Sequence, residues 1–229
     1  MRTCTLLFAL LLFFKVSVSQ IITSIPALPV ENQPVTITFD ATKGTAGLKD
    51  YAGDVYAHIG VITDKSTSSG DWKYVIAAWG INVDKAKMTR IGANQYQITL
   101  SPDIRQYFAV PAGEVIQKIA MVFRSGAQVN GALLEGKDTG SKDIMLDVYA
   151  STGLNFVIQQ PAKNLVFQPY ANIPFSASAS ATADFELYLN ANKILASTGT
   201  SITYNFNLPS GDYWIRAKAT AQSLSLIHI

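Results

Sequence analysis

From Gln20 onward the chain is interrupted about every 8 to 15 residues by Gly, Pro, Asn or Asp, a spacing too short for helical layers and suited to β-strands joined by turns. Between the interruptions apolar and polar residues alternate, as in Val35-Thr-Ile-Thr-Phe39, which is the period of a half-buried strand. Residues 55–62, 96–100, 116–123 and 144–149 are further predicted strands. One helical turn is predicted over residues 102–108, with Ser101 as its cap and Pro102 in the first helical position. After the small-residue linker Ala150-Ser-Thr-Gly153 a second set follows at 154–158, 173–177, 185–189, 201–206 and 213–219, with turns at Asn190-Ala-Asn192 and Pro209-Ser-Gly211. The pattern predicts an all-β chain of two consecutive immunoglobulin-like β-sandwich domains, residues 20–149 and 150–223, the second truncated before its closing strand. The run Phe175-Ser-Ala-Ser-Ala-Ser-Ala181 reads as a strand with inward alanines and solvated serines.

Both ends carry processing signals. Arg2, an apolar run over residues 6–14 and the small residues Ser17-Val18-Ser19 make residues 1–19 an export signal, with cleavage expected before Gln20. The run is too short to span a bilayer, so no membrane span is expected and the mature chain is placed in the periplasm, at the cell surface or outside the cell. At the other end, Leu224-Ser-Leu-Ile-His-Ile229 reads as the translation of a transposon-based sequencing adapter, so residues 224–229 are expected to be foreign to the gene.

The single cysteine, Cys4, lies within the export signal, which excludes disulfides and thiolate metal sites from the exported part. Arg2 and Lys15 also belong to the signal, and without them the 18 basic residues reduce to a number equal to the 16 acidic ones. A neutral chain without a basic stripe is not built to neutralise phosphates, and no nucleic-acid partner is expected. Only 15% of residues are charged, leaving a surface suited to uncharged hydrogen-bonding ligands. Gly44-Thr-Ala-Gly47 is a turn, since no Gly-Lys-Ser/Thr follows it, and no cofactor is expected. Glu135-Gly-Lys-Asp-Thr-Gly-Ser-Lys-Asp143 has carboxylates among glycines but not the ligand spacing of a calcium loop, and reads as a solvated hairpin tip. His58 has no second histidine or cysteine at metal-ligand spacing and no Gly-x-Ser-x-Gly elbow to serve, so it takes a structural or surface role.

Trp72 and Tyr74 are the leading candidates for ligand contact. They follow the polar loop at residues 64–70, and alternate residues of an extended segment face the same way, so the two rings form one platform for the apolar face of a sugar. Lys73 would then hydrogen-bond sugar hydroxyls. The competing reading makes Trp72 a core anchor. Trp79, an odd number of residues further on, joins the site only if the chain bends near Ala77-Ala78.

Asp54-Val-Tyr-Ala-His-Ile-Gly60, Asp71-Trp-Lys-Tyr-Val75, Trp79-Gly80, Met88-Thr-Arg-Ile-Gly92, Tyr96-Gln-Ile-Thr-Leu-Ser101 and Gly136-Lys-Asp-Thr-Gly-Ser-Lys-Asp143 occur in that order. In this the chain resembles, over about residues 22–149, the N-terminal region of secreted α-amylase-family glycosidases of Gram-negative polysaccharide degraders. The residues Gln128-Val-Asn-Gly-Ala-Leu-Leu134 are a longer insertion than that pattern has. The resemblance implies a starch-binding-like sandwich and an immunoglobulin-like module ahead of a catalytic barrel that hydrolyses α-glucan. It further implies that this chain is the non-catalytic part, with the polysaccharide and the downstream barrel as partners and no catalytic residue of its own. Two alternatives stand beside it: a cell-surface glycan-binding or adhesion protein without a barrel, and a purely structural domain that packs on its enzyme.

Overall fold

A computed structural model describes residues 20–161 and 166–221; the expected export signal and adapter lie outside the described residues. The described residues are nearly all β, with twelve strands in three antiparallel sheets and one short α-helix among them. The strands are β1 (Ile22–Ile25), β2 (Val35–Asp40), β3 (Val55–Thr63), β4 (Thr89–Gly92), β5 (Gln95–Leu100), β6 (Ile116–Ser125), β7 (Glu135–Gly136), β8 (Ile144–Asp147), β9 (Phe156–Gln160), β10 (Asn172–Leu189), β11 (Asn192–Asn207) and β12 (Ile215–Ala221).

The first two sheets form a sandwich. One runs β1-β2-β5-β4; in the other β6 is central, with β3 on one edge and β7 and β8 on the opposite edge. Alternation explains the first sheet. Val35, Ile37 and Phe39 point inward and are fully buried, while Thr36 faces out and meets Thr99 of β5, hydroxyl to hydroxyl, at 3.0 Å. Val55, Ala57, Ile59 and Val61 of β3 and Ile119, Met121 and Phe123 of β6 supply the facing layer. The two layers lock where Phe39 stacks on Phe123, with ring centroids 4.1 Å apart.

β3 and β6 depart from the expected half-buried pattern. Ala120, Val122 and Arg124 alternate with the inward residues of β6 yet are also buried, as are Tyr56 and Ile62 of β3. A strand buried on both sides has something packed on its outer face as well. Here that cover comes from residues 72–82, discussed below.

The helix, α1 (Ile104–Phe108), begins later than expected because Asp103 caps it, its carboxylate accepting from the Gln106 N–H at 2.7 Å. Ile104, Tyr107 and Phe108 turn into the core.

The third sheet has its own apolar cluster, built on Ile173, Phe175, Phe185, Leu187, Ile202 and Phe206. The expected separate strands at 173–177 and 185–189 are one long bent strand, β10, and β11 likewise reaches back past the expected start at Ser201. The bend lies where residues 179–182 of β10 face Thr200 alone, a large bulge in the ladder. Before it β10 pairs with β9, and after it with β12. The two halves close over a common core, since Phe156 of β9 lies 6.1 Å from Phe185 in the far half of β10. Ala177 and Ala179 of the 175–181 run are buried as expected, whereas Ala181, inside the bulge, is exposed. Two of its serines are hydrogen-bonded rather than merely solvated: Ser178 donates to Gln159 at 3.1 Å and Ser180 accepts from the Asn155 N–H at 3.0 Å.

The ring stack between Phe39 and Phe123 joins the two sheets of the first sandwich, so Phe123→Ala is expected to cost about 3–5 kcal/mol of stability. Urea unfolding of the variant beside the parent chain measures it.

Candidate functional site

The outer face of β3 and β6 is built from residues that alternate with the core set. His58 lies opposite Val122, Tyr56 opposite Arg124 and Gly60 opposite Ala120. After the loop at residues 64–70, Asp71 closes the turn by accepting from the Thr67 N–H and hydroxyl at 2.9 and 3.1 Å. The chain then runs back along the free edge of β3. The Lys73 N–H donates to Val61 at 2.8 Å, the Val61 N–H donates to Lys73 at 3.0 Å and the Ile76 N–H donates to Ile59 at 3.1 Å.

This approach requires the glycine of Asp54-Val-Tyr-Ala-His-Ile-Gly60. A Cβ on Gly60 would stand 2.9 Å from the Lys73 carbonyl oxygen and 3.0 Å from Val75 Cγ2. Beyond Ile76 the chain bends and turns at residues 78–81, where the Ile81 N–H donates to Ala78 at 3.1 Å and Gly80 supplies a φ of +82°. Arg124 fastens the end of this turn. Its guanidinium donates to the Ile81 carbonyl at 2.7 Å and to Asn82 Oδ1 at 2.8 Å, with the Tyr56 ring 5.4 Å away. Arg124 is only 2% exposed, and among the described residues its Nε has no hydrogen-bond partner.

The result brings Trp72 and Trp79 onto one imidazole. Trp72 stacks on His58 with centroids 5.5 Å apart and planes at 30°, while Trp79 meets His58 edge-on at 5.0 Å and 83°. Trp72 is half-buried on the outer face and takes no part in the core cluster; its indole N–H donates to the Ser69 carbonyl at 3.2 Å. Trp79 is 45% exposed. The bend near Ala77-Ala78 that a shared site demands is present. Together with Asp71, Lys137 and Asp143 these rings line an open recess of about 430 Å³, within the size range of small-ligand sites.

Tyr74 does not belong to this platform. Its φ of +52° breaks the alternation on which the expected pairing with Trp72 rested, and its ring packs against the core. The hydroxyl donates to Glu114 Oε2 at 2.7 Å, and this bond to a carboxylate raises the phenol pKa. Lys73 contributes through its backbone; its ammonium is paired with Asp71 at 2.9 Å and does not line the recess.

His58, read from the sequence as a structural or surface residue, is the side chain on which both indoles pack. Burial lowers its pKa below the ordinary 6.5 and the nearby Arg124 charge adds to this, against the weaker upward pull of a hydrogen bond to the Ala77 backbone and of Asp143. The imidazole is therefore neutral at pH 7. Asp71 is lowered by its bonds from Lys73 and Thr67 and is ionised. Asp143 and Lys137 also escaped the sequence reading, because they arrive from the hairpin before β8, where the Asp138 N–H donates to Lys142 at 2.8 Å. Arg124 did leave a signal: a charge directly following the apolar run Ile119-Ala-Met-Val-Phe123. Among the described residues no group of three or more His, Cys, Asp or Glu is placed to hold a metal ion, and no helix is long and apolar enough to cross a membrane.

The model of a family described as a domain of unknown function (DUF8578) matches residues 22–129, a span that includes His58, Trp72, Trp79 and Arg124 but stops short of Lys137 and Asp143. No curated protein sequence gives a match. Among solved structures, the Clostridium thermocellum CbhA fibronectin(III)-like modules align over 86% of this chain and 84% of that chain, at 11% identity and a TM-score of 0.26. At that TM-score the backbones share no close superposition, and the fold assignment rests on the strand register and packing above.

Because the pKa of His58 is lower in the folded chain, its neutral form carries the full stability above about pH 6.5, and stability falls as pH drops through that value toward the folded pKa. Denaturant midpoints measured from about pH 7.5 down to about pH 5 are expected to decline in the parent and to decline less in His58→Gln.

Proposed function

We propose that residues 20–149 are a carbohydrate-binding module and that the recess at His58, Trp72 and Trp79 receives a sugar ring of a neutral, α-glucan-type polysaccharide. In this reading the chain is the non-catalytic part of an exported α-glucan-hydrolysing enzyme whose catalytic barrel lies downstream, with residues 150–223 as the intervening module. The observation that carries the proposal is the convergence of two partly exposed indoles on one neutral imidazole in an open recess. A pyranose has an apolar C–H face that an indole covers, and hydroxyls around its rim that suit polar groups at the edge of the rings.

The energetics define how such a module acts. One aromatic contact contributes about 1 kcal/mol beyond area burial, whereas a millimolar dissociation constant requires about 4 kcal/mol. Two indoles and a few hydrogen bonds thus hold a single sugar weakly. The module gains its effect by tethering, since linkage to a hydrolase raises the effective concentration of a polymer with many equivalent sites.

Affinity electrophoresis of the chain in gels containing amylopectin tests the proposal. The parent chain is expected to be retarded, and Trp72→Ala and Trp79→Ala to migrate freely. Tyr74→Phe, which changes only a hydroxyl turned toward Glu114, is expected to remain retarded. Equal mobility of the parent with and without polysaccharide contradicts binding and leaves the structural alternative, a domain that packs on its enzyme.

A further inference from the structure

Asp143 directly precedes β8, and its carboxylate borders the same recess as the two indoles. The other charged groups there are committed. Asp71 is engaged by Lys73 and Thr67, and Lys137 is paired with Glu135 at 2.9 Å. Asp143, in contrast, makes no hydrogen bond or ion pair among the described residues, and its charge acts on His58. The uncommitted charged group in the recess is therefore an acceptor.

We infer that Asp143 is a ligand-binding residue that accepts hydrogen bonds from the hydroxyls of a sugar stacked on Trp72 and Trp79, and that it selects uncharged glycans over acidic ones. This deepens the reading of the recess as a sugar site and rests on it.

The chemistry follows from what each group offers. An ionised carboxylate has lone pairs and no donor, and its two oxygens suit a pair of adjacent hydroxyls. Neutral His58, with an N–H turned to the Ala77 backbone, leaves its other nitrogen as a second acceptor. A ligand seated here must donate, which a hydroxyl-rich sugar does around its whole rim. A uronate or sulfated sugar instead brings a negative charge against Asp143, and the Lys137 ammonium in the recess is already paired with Glu135. Arg124 is no remedy, because it is buried and its two terminal nitrogens already donate to Ile81, Asn82 and Ser125.

The test titrates the chain, by tryptophan fluorescence, with a linear malto-oligosaccharide and with an oligogalacturonide of equal length. The parent chain is expected to bind the first and not the second. Asp143→Asn and Asp143→Ala are expected to weaken the malto-oligosaccharide about tenfold, the loss of a charge-assisted hydrogen bond, with unchanged unfolding midpoints. Malto-oligosaccharide binding that is equal in the parent and both Asp143 variants overturns the inference while leaving the sugar site intact. Binding of the oligogalacturonide as tight as that of the malto-oligosaccharide overturns it as well. No response of the parent to the malto-oligosaccharide removes the sugar site itself and the inference with it.

Discussion

The recess exists because one residue of β3 has no side chain. At Gly60 the backbone of residues 73–76 lies against the strand closely enough to exchange hydrogen bonds with Val61 and Ile59, and any Cβ at that position meets the Lys73 carbonyl oxygen. This contact sets where Trp72 sits relative to His58, and the chain that leaves it must bend to stay over the sheet. The turn that follows delivers Trp79 to the same imidazole. Arg124 then holds the far end, and the tight covering accounts for β3 and β6 being buried on both faces. A guanidinium buried without a carboxylate is costly, and here three carbonyl or amide oxygens offset that cost.

Local pattern made the first sandwich largely legible. The alternation of Val35, Ile37 and Phe39 with threonines and that of residues 96–100 both lie in the observed strands, because each faces the core on one side and water on the other. The long strand β10 was read as two pieces because the bulge at residues 179–182 breaks the period while the chain remains extended, and of β11 only the part from Ser201 onward was read. Tyr74 was misplaced for the opposite reason: a two-residue period was assumed where a positive φ interrupts it.

The site was legible only in part, since its geometry depends on contacts remote in sequence. Trp72 and Trp79 stood out by residue type, and the bend needed to unite them follows from their odd spacing. A lone histidine gave no sign of its surroundings, because the two rings that converge on it are remote in sequence. Asp143 lies roughly seventy residues beyond Trp72, and nothing in its own neighbourhood distinguishes it from the other acidic residues of a solvated hairpin. The charge pattern of the recess emerges only when the committed ion pairs are separated from the group left over.

The most direct measurement of this account is the proton–proton cross-relaxation of the His58 ring in the chain in solution. The account predicts cross-peaks from the His58 ring protons to both the Trp72 and the Trp79 indoles, given centroid separations of 5.5 and 5.0 Å. A spectrum in which His58 contacts only one indole, or neither, would contradict it.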